Sequence, residues 1–372
     1  MTILAVNAGS STLKFALFDD QASQELAAGT EDLGASAPDH QVALDRAFHW
    51  VSRQEPLGAI RAVGHRVVHG GLRFRKSVRI DAGVSEALSE LSDVAPLHNP
   101  PALRVIAAAR ERLPTVPQVA VFDTSFYADL PERAFVYPLP YEWYEQWGVR
   151  RFGFHGISHA YCAGRTAELL ERSAEGLRIV VCHLGQGCSA TGVRGGQAVA
   201  TTMGFTPLEG LMMGSRSGSV DPGILLHALR RGLGIEELEE TLNRRSGLLG
   251  VSGVSSDFRE VDAAAREGNE RSRLALEIYA DRVRAAVGAL AATLGGLDAL
   301  VFTAGVGENA ASLRASVCGG LEFLGVRLDH ERNMTSQPDS DIAQRHSPSR
   351  ILVIRTREDL MIARETRRLA FA

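Results

Sequence analysis

Lysine is nearly missing from this chain: of 40 basic residues in 372 positions, only Lys14 and Lys76 are lysines. Arginine therefore carries almost all the positive charge, and Lys14 stands out in the first strand-like segment. Cysteine is scarce, with four in all (Cys162, Cys182, Cys188, Cys318) and no CxxC pair to suggest a zinc site or redox couple. No basic-then-apolar leader precedes the first strand pattern, so the expected location is cytoplasmic. No apolar run approaches the ~20 residues that a membrane span needs. A net charge of -4 gives no electrostatic reason to expect nucleic acid or an anionic membrane as partner, so the expected ligand is small. Also absent is GxxxxGK[ST], so any nucleotide must be cradled without a P-loop lysine.

What is present is the composition of a packed globular protein, 45% hydrophobic and 23% charged, at a length that calls for two domains. Residues 3–18, ILAVNAGSSTLKFALF, read as strand, turn and strand, the turn built on Asn7, Gly9, Ser10 and Ser11. The same grammar returns at 178–193, RIVVCHLGQGCSATGV, with Gly185, Gly187 and Ser189 at the turn. Two domains that open alike suggest a duplicated α/β design with one nucleotide held between them. Further strands are expected at 62–68, 117–122, 300–303 and 351–354. A long amphipathic helix is expected over 273–294, closed by Gly295-Gly296, and another over 357–370, with Thr356 and Asp359 as a capping pair. The polar stretches 19–40 and 335–350 read as solvated loops.

The Gly-rich turns at 7–11, 185–189 and 303–309 (TAGVGEN) can converge backbone N–H groups on phosphate oxygens, although each alone reads more readily as an ordinary hairpin or loop. Arg66, in VGHRVVHGG, and Arg216, in LMMGSRSGS, have apolar and glycine neighbours. A guanidinium desolvated there needs an anion, which can be phosphate, carboxylate or an internal aspartate. Asp123 and Glu358 fall just past strand ends, where magnesium-ATP would want hard oxygen ligands; a turn residue and a first-turn helix residue are the plainer alternatives. His155 and His159, in RRFGFHGISH, have a spacing that invites zinc. Gly156 takes the place of the metalloprotease glutamate, however, and two glycines argue against a helix. His155 is left as either a satisfied core residue or a donor to a transferring phosphoryl group.

Taken together VNAGSSTLKF, GHRVVHGG, PLHNPP, VFDTSF, RFGFHGISH, CHLGQG, MGFTPLEGLMMGSRSG, SSDFR, FTAGVGEN and IARET resemble the acetate kinase family over nearly the whole chain. The resemblance implies an α/β fold of the actin, hexokinase and Hsp70 type, two domains with a duplicated core and a nucleotide cleft. It places residues 1–127 plus 360–372 in one domain and 128–359 in the other, with most of the nucleotide site in the second. It also implies a homodimer, ATP/ADP and acetate or a similar short-chain acid as ligands, and Mg2+ as cofactor, with Mn2+ able to substitute.

Residue by residue, Asn7 and Glu358 resemble the metal-site residues, Lys14 a nucleotide contact, and Arg66 the residue facing the carboxylate. Asp123, His155 and Arg216 resemble the catalytic residues. His183, Leu184, Gly185, Gln186 and Gly187, then Asp257, Phe258 and Arg259, then Gly305, Val306, Gly307, Glu308 and Asn309 resemble the nucleotide loops. Val68, Leu97, Phe154 and Pro207 resemble the pocket for the acid's methyl group. Departures are Gln186 for the usual Asn, Ser219 for Asp and Arg357 for Asn, with a shortened stretch between Asp19 and Val63. The activity implied is direct in-line transfer from ATP to acetate; a propionate kinase, a sugar kinase or an ATP-dependent binding module of the same fold are the alternatives.

Overall fold

A computed structural model describes residues 2–9, 12–32, 37–91 and 99–371, without the side chains of 37–41. The chain divides into two units: unit 1 comprises Met1–Ala128, Phe154–Ile157 and Arg357–Ala372, and unit 2 comprises Asp129–Gly153 and Ser158–Thr356. Relative to the expected division, the short stretch 154–157 belongs to unit 1, and so does Glu358.

Unit 1 is built on β1 (Thr2–Ala8), β2 (Thr12–Asp19), β3 (Glu25–Asp32), β4 (Ile60–Val67), β5 (Val78–Arg79) and β6 (Gln118–Phe122), in the order β3-β2-β1-β4-β6-β5. Unit 2 is built on β7 (Arg178–Leu184), β8 (Cys188–Arg194), β9 (Gln197–Thr201), β10 (Ala299–Thr303), β11 (Ser340–Asp341) and β12 (Arg350–Val353), in the order β11-β12-β10-β7-β8-β9. Read from opposite edges, the two orders are the same. The directions match as well: two antiparallel pairings, two parallel pairings, then an antiparallel edge. The duplication suspected from two turns therefore extends through both sheets.

The central strands follow from composition. β1, β6, β7 and β10 are apolar, β-branched runs buried on both faces, as parallel strands covered by helices must be. In unit 1, helices Ala37–Gln54 and Asn99–Arg112 cover one face around Leu4, Val6, Leu13, Phe15, Leu44, Phe48 and Val105, and the terminal helix Glu358–Ala370 packs against β1, β4 and β6. In unit 2, the helix Glu270–Leu294 starts where Asn269 accepts the Ser272 N–H and ends at Gly295, close to expectation.

Several expectations are corrected. The stretch 19–40 holds β3 and the start of a helix, and 335–350 holds β11. Both segments are polar because an edge strand shows one side to water. Thr356 and Asp359 do not cap the last helix, since Asp359 pairs with Arg357 and the Thr356 hydroxyl goes to Ser158. Residues 304–309 form a short helix after a left-handed Ala304, and a helix begins at Gly156 despite the glycines. All four cysteines are buried and form no disulfide, and among the described residues no helix is long and apolar enough to cross a membrane.

Candidate active site

Unit 1 gathers Asn7, Arg66, Asp123 and Glu358 into one polar cluster at the ends of its central strands. Arg66, near the end of β4, places Nε 3.1 Å from both Asp123 oxygens and Nη2 2.5 Å from Oδ2, and donates from Nη1 to Asn7 Oδ1 at 3.0 Å. Asn7 in turn donates from Nδ2 to Glu358 Oε2 at 2.9 Å. The internal Arg–Asp pair left open by the sequence is thus present. Burial disfavours the Arg66 charge, but Asp123 and Glu358 more than offset this and hold its pKa above the ordinary value. Complete burial raises the Asp123 carboxyl and the Glu358 charge adds to the shift, while the Arg66 fork and the His155 N–H pull against them.

The His155 N–H reaches Asp123 because the chain turns sharply there. His155 is left-handed at φ 57°, and a Cβ on Gly156 would lie 2.0 Å from the Asp123 carbonyl oxygen. Glycine is obligatory after His155 for this reason. His159, in the helix that follows, is buried and bonds Ser189 Oγ at 2.7 Å, and no cluster of metal-ligating side chains occurs among the described residues. Lys14 lies opposite Asn7 in the β1–β2 register, on the same sheet face and exposed. Val68 and Phe154 are buried in unit 1, where Tyr127 donates to the Phe154 carbonyl and the Phe154 ring meets His69 edge-on. Leu97 lies outside the described residues, as do Ser10 and Ser11.

In unit 2 the turn 185–187 closes with Gly185 N–H on Gly187 O, and Gly214 N–H donates to Gln186 O at 3.2 Å. The Gln186 amide lies across Gly214, so the turn is stapled to the loop that carries Arg216. Arg216 is largely buried, which lowers its pKa, and its side chain meets only the Pro207 carbonyl at 3.5 Å and Met213 Sδ at 3.9 Å. Among the described residues it has no carboxylate partner. Asp257 caps its helix and binds Arg259, whose side chain is 87% exposed, while Phe258 packs edge-on against Tyr279. Gly305 and Asn309 are exposed, and Asn309 bonds back to Gly305 O. Half-buried Glu308, its pKa raised by burial, accepts the N–H groups of Ala304 at 3.0 Å and Thr356 at 3.1 Å.

Matching registers show what the duplication has changed. Asn7 stands in β1 where His183 stands in β7, Arg66 matches Thr303 of β10, and Asp123 matches Thr356 after β12. One sheet ends in charges and the other in hydroxyls and an imidazole. Sequence reasoning missed Ser158 and Thr356. Register-matching of the two halves is the signal that finds Thr356, and nothing in the letters marks Ser158.

Two six-stranded sheets of one repeated topology, each with polar residues past its parallel strand ends, define a two-domain protein of the actin-like ATPase fold. A family model described as the Acetokinase family matches residues 27–364. The acetate kinase of Cyanothece sp. is 56% identical over 307 residues, 82% of this chain and 75% of that protein. The crystal structure of Porphyromonas gingivalis acetate kinase superposes with a TM-score of 0.90 at 39% identity, covering 98% of each chain. A propionate kinase from Francisella tularensis superposes with a TM-score of 0.90 at 38% identity, covering 99% of each. The chain belongs to the acetokinase family, that of the acetate kinases, and is a kinase.

Proposed function

We propose that this kinase transfers the γ-phosphoryl group of ATP to the carboxylate of acetate, unit 1 holding the acid and unit 2 the nucleotide. The observation that carries this reading is Arg216, a largely buried guanidinium with no carboxylate partner among the described residues, on a loop stapled to a Gly-rich turn. A desolvated positive charge is costly until an anion meets it, and a transferring phosphoryl group is such an anion.

Arg66 plays a different part. Asp123 and Asn7 take three of its five N–H groups, leaving one on each terminal nitrogen to meet a carboxylate in a plane already fixed. In the step, an acetate oxygen bonds to the γ-phosphorus as the bond to the β-phosphate oxygen breaks and ADP departs with that electron pair. An ionised acid needs no base, so Asp123 orients Arg66 rather than accepting a proton. The protein's work is to align two anions and neutralise their approach, which suits Arg66, Arg216 and His155.

Magnesium, when bound with ATP, spreads positive charge over the phosphoryl oxygens. The donor set fits an ion that arrives with phosphates and keeps most of its waters: Glu358 supplies a carboxylate, and Asn7, engaged by Arg66 and Glu358, holds that carboxylate in place. Acetate, ATP and hydroxylamine supplied together test the reading, an acetyl hydroxamate being the expected product. ATP hydrolysis indifferent to acetate would sink it. The propionate kinase likeness keeps propionate as a slower substrate, since one methylene is worth roughly 1–3 kcal/mol. A kcat/KM for butyrate above that for acetate contradicts the assignment.

A further inference from the structure

Thr356, Ser158 and His183 form a hydrogen-bonded row inside unit 2. Thr356 Oγ1 lies 2.8 Å from Ser158 Oγ, which lies 2.8 Å from His183 Nδ1. The row continues through the Thr356 backbone, whose N–H donates to the Glu308 carboxylate, and that carboxylate also takes the N–H of left-handed Ala304. Ser158 is fully buried and His183 is buried beside it. Each hydroxyl has one proton to give, so the row runs in a single sense, and deleting either hydroxyl strands polar atoms in a dry place.

Its position along the chain is what matters. Ser158 stands in the first turn of the helix that follows His155, Thr356 stands two residues before Glu358, and His183 stands in β7 two residues before the turn 185–187. Ser158 and Thr356 are also the first and last residues of the long segment of unit 2, so the row clips together the points where the chain enters and leaves that unit.

We propose that Ser158 is a positioning residue for phosphoryl transfer: through Thr356 and His183 it holds, within unit 2, the start of its long segment, the end of that segment and the strand that leads into the nucleotide turn. It touches neither acid nor nucleotide. This rests on the carboxylate-kinase reading above.

The test uses full-length Ser158→Ala and Thr356→Val, singly and combined, with acetyl phosphate formation and Mg-ADP binding as separate readouts. Each single variant is expected to lose about 10- to 100-fold in kcat, with KM for acetate shifted by less than about threefold. The double variant is expected to be no worse than the poorer single one, because the row fails as a unit. Thr356→Val is nearly isosteric and carries the test should Ser158→Ala not fold. A kcat within about twofold of wild type in either folded variant, or losses that multiply in the double, overturns the proposal. Should wild-type protein bind Mg-ADP yet form no acyl phosphate, the carboxylate-kinase reading falls and the row is judged on ADP affinity. There, non-additive losses support it and multiplicative ones overturn it.

Discussion

Asp123 holds Arg66 edge-on with both carboxylate oxygens, and the same carboxylate takes the His155 N–H, so one buried anion orders two residues assigned to the reaction. Removing only the anion is expected to be harsher than removing the pair. Asp123→Ala removes the largest compensating charge of a buried guanidinium, leaving only the Glu358 charge beside it, and should cost about 3 kcal/mol in urea unfolding. Arg66→Met combined with Asp123→Leu should regain most of that stability and none of the activity. An active double variant would show that Arg66 serves the fold alone.

Arg216 is expected to behave in the opposite way, because among the described residues it has no carboxylate partner to compensate its charge. Arg216→Ala should leave thermal stability unchanged or raised while kcat falls on the order of 10²–10³. Arg216→Lys should recover little, since a point charge lacks the planar fork. Near-normal kcat in the alanine variant refutes a transition-state role.

Glu358 is the carboxylate that the Asn7 amide steadies at 2.9 Å. Glu358→Gln keeps the hydrogen-bonding shape and removes the charge, so the magnesium concentration giving half-maximal rate should rise by about tenfold or more. Asn7→Ala should move it in the same direction by less. Titration of the rate with magnesium at saturating ATP decides this, and an unchanged midpoint in Glu358→Gln removes Glu358 from the metal's neighbourhood.

The sheet cores, the place of Arg66 inside a strand and the positions of Asp123 and Glu358 just past strand ends were legible because buried parallel strands leave long apolar runs, and the residues just past them are few. The edge strand Glu25–Asp32 was not, since a strand half in water carries no such run. The helix starting at Gly156 hid behind two glycines: Gly153 has a left-handed backbone, and Gly156 makes a close approach to Asp123, a contact between segments far apart in sequence. For the same reason Ser158 was invisible. A hydroxyl is a turn former, a cap or a buried link depending on what lies opposite, and only coordinates supply that.

His65 and His69 bring a pH dependence with a definite sign. Both are buried in unit 1, where burial pushes each imidazole's pKa down to about 4 from an ordinary 6.5. His65 stays neutral with Nε2 2.6 Å from Gln118 Oε1, which offsets only part of that burial. Between pH 6.5 and 4 the unfolded chain takes up protons that the folded chain refuses, so stability falls as pH falls through this window. Each histidine contributes about 1.4 kcal/mol per pH unit, or roughly 3 kcal/mol across the window. Carboxylates held below their ordinary range, such as Asp298 beside Arg178, lose their contribution only below about pH 4, so the two effects separate. Trp50, packed on Phe15 in unit 1, reports unfolding of that unit once Trp143 and Trp147 are replaced by Phe. Urea titrations at several pH values isolate the histidine's share, which is opposed by carboxyls raised through burial such as Asp123: His65→Gln should lower stability at pH 7 and change the slope below pH 6.5 by the share of one histidine. An unchanged slope in that variant would mean that His65 is protonated in the folded protein.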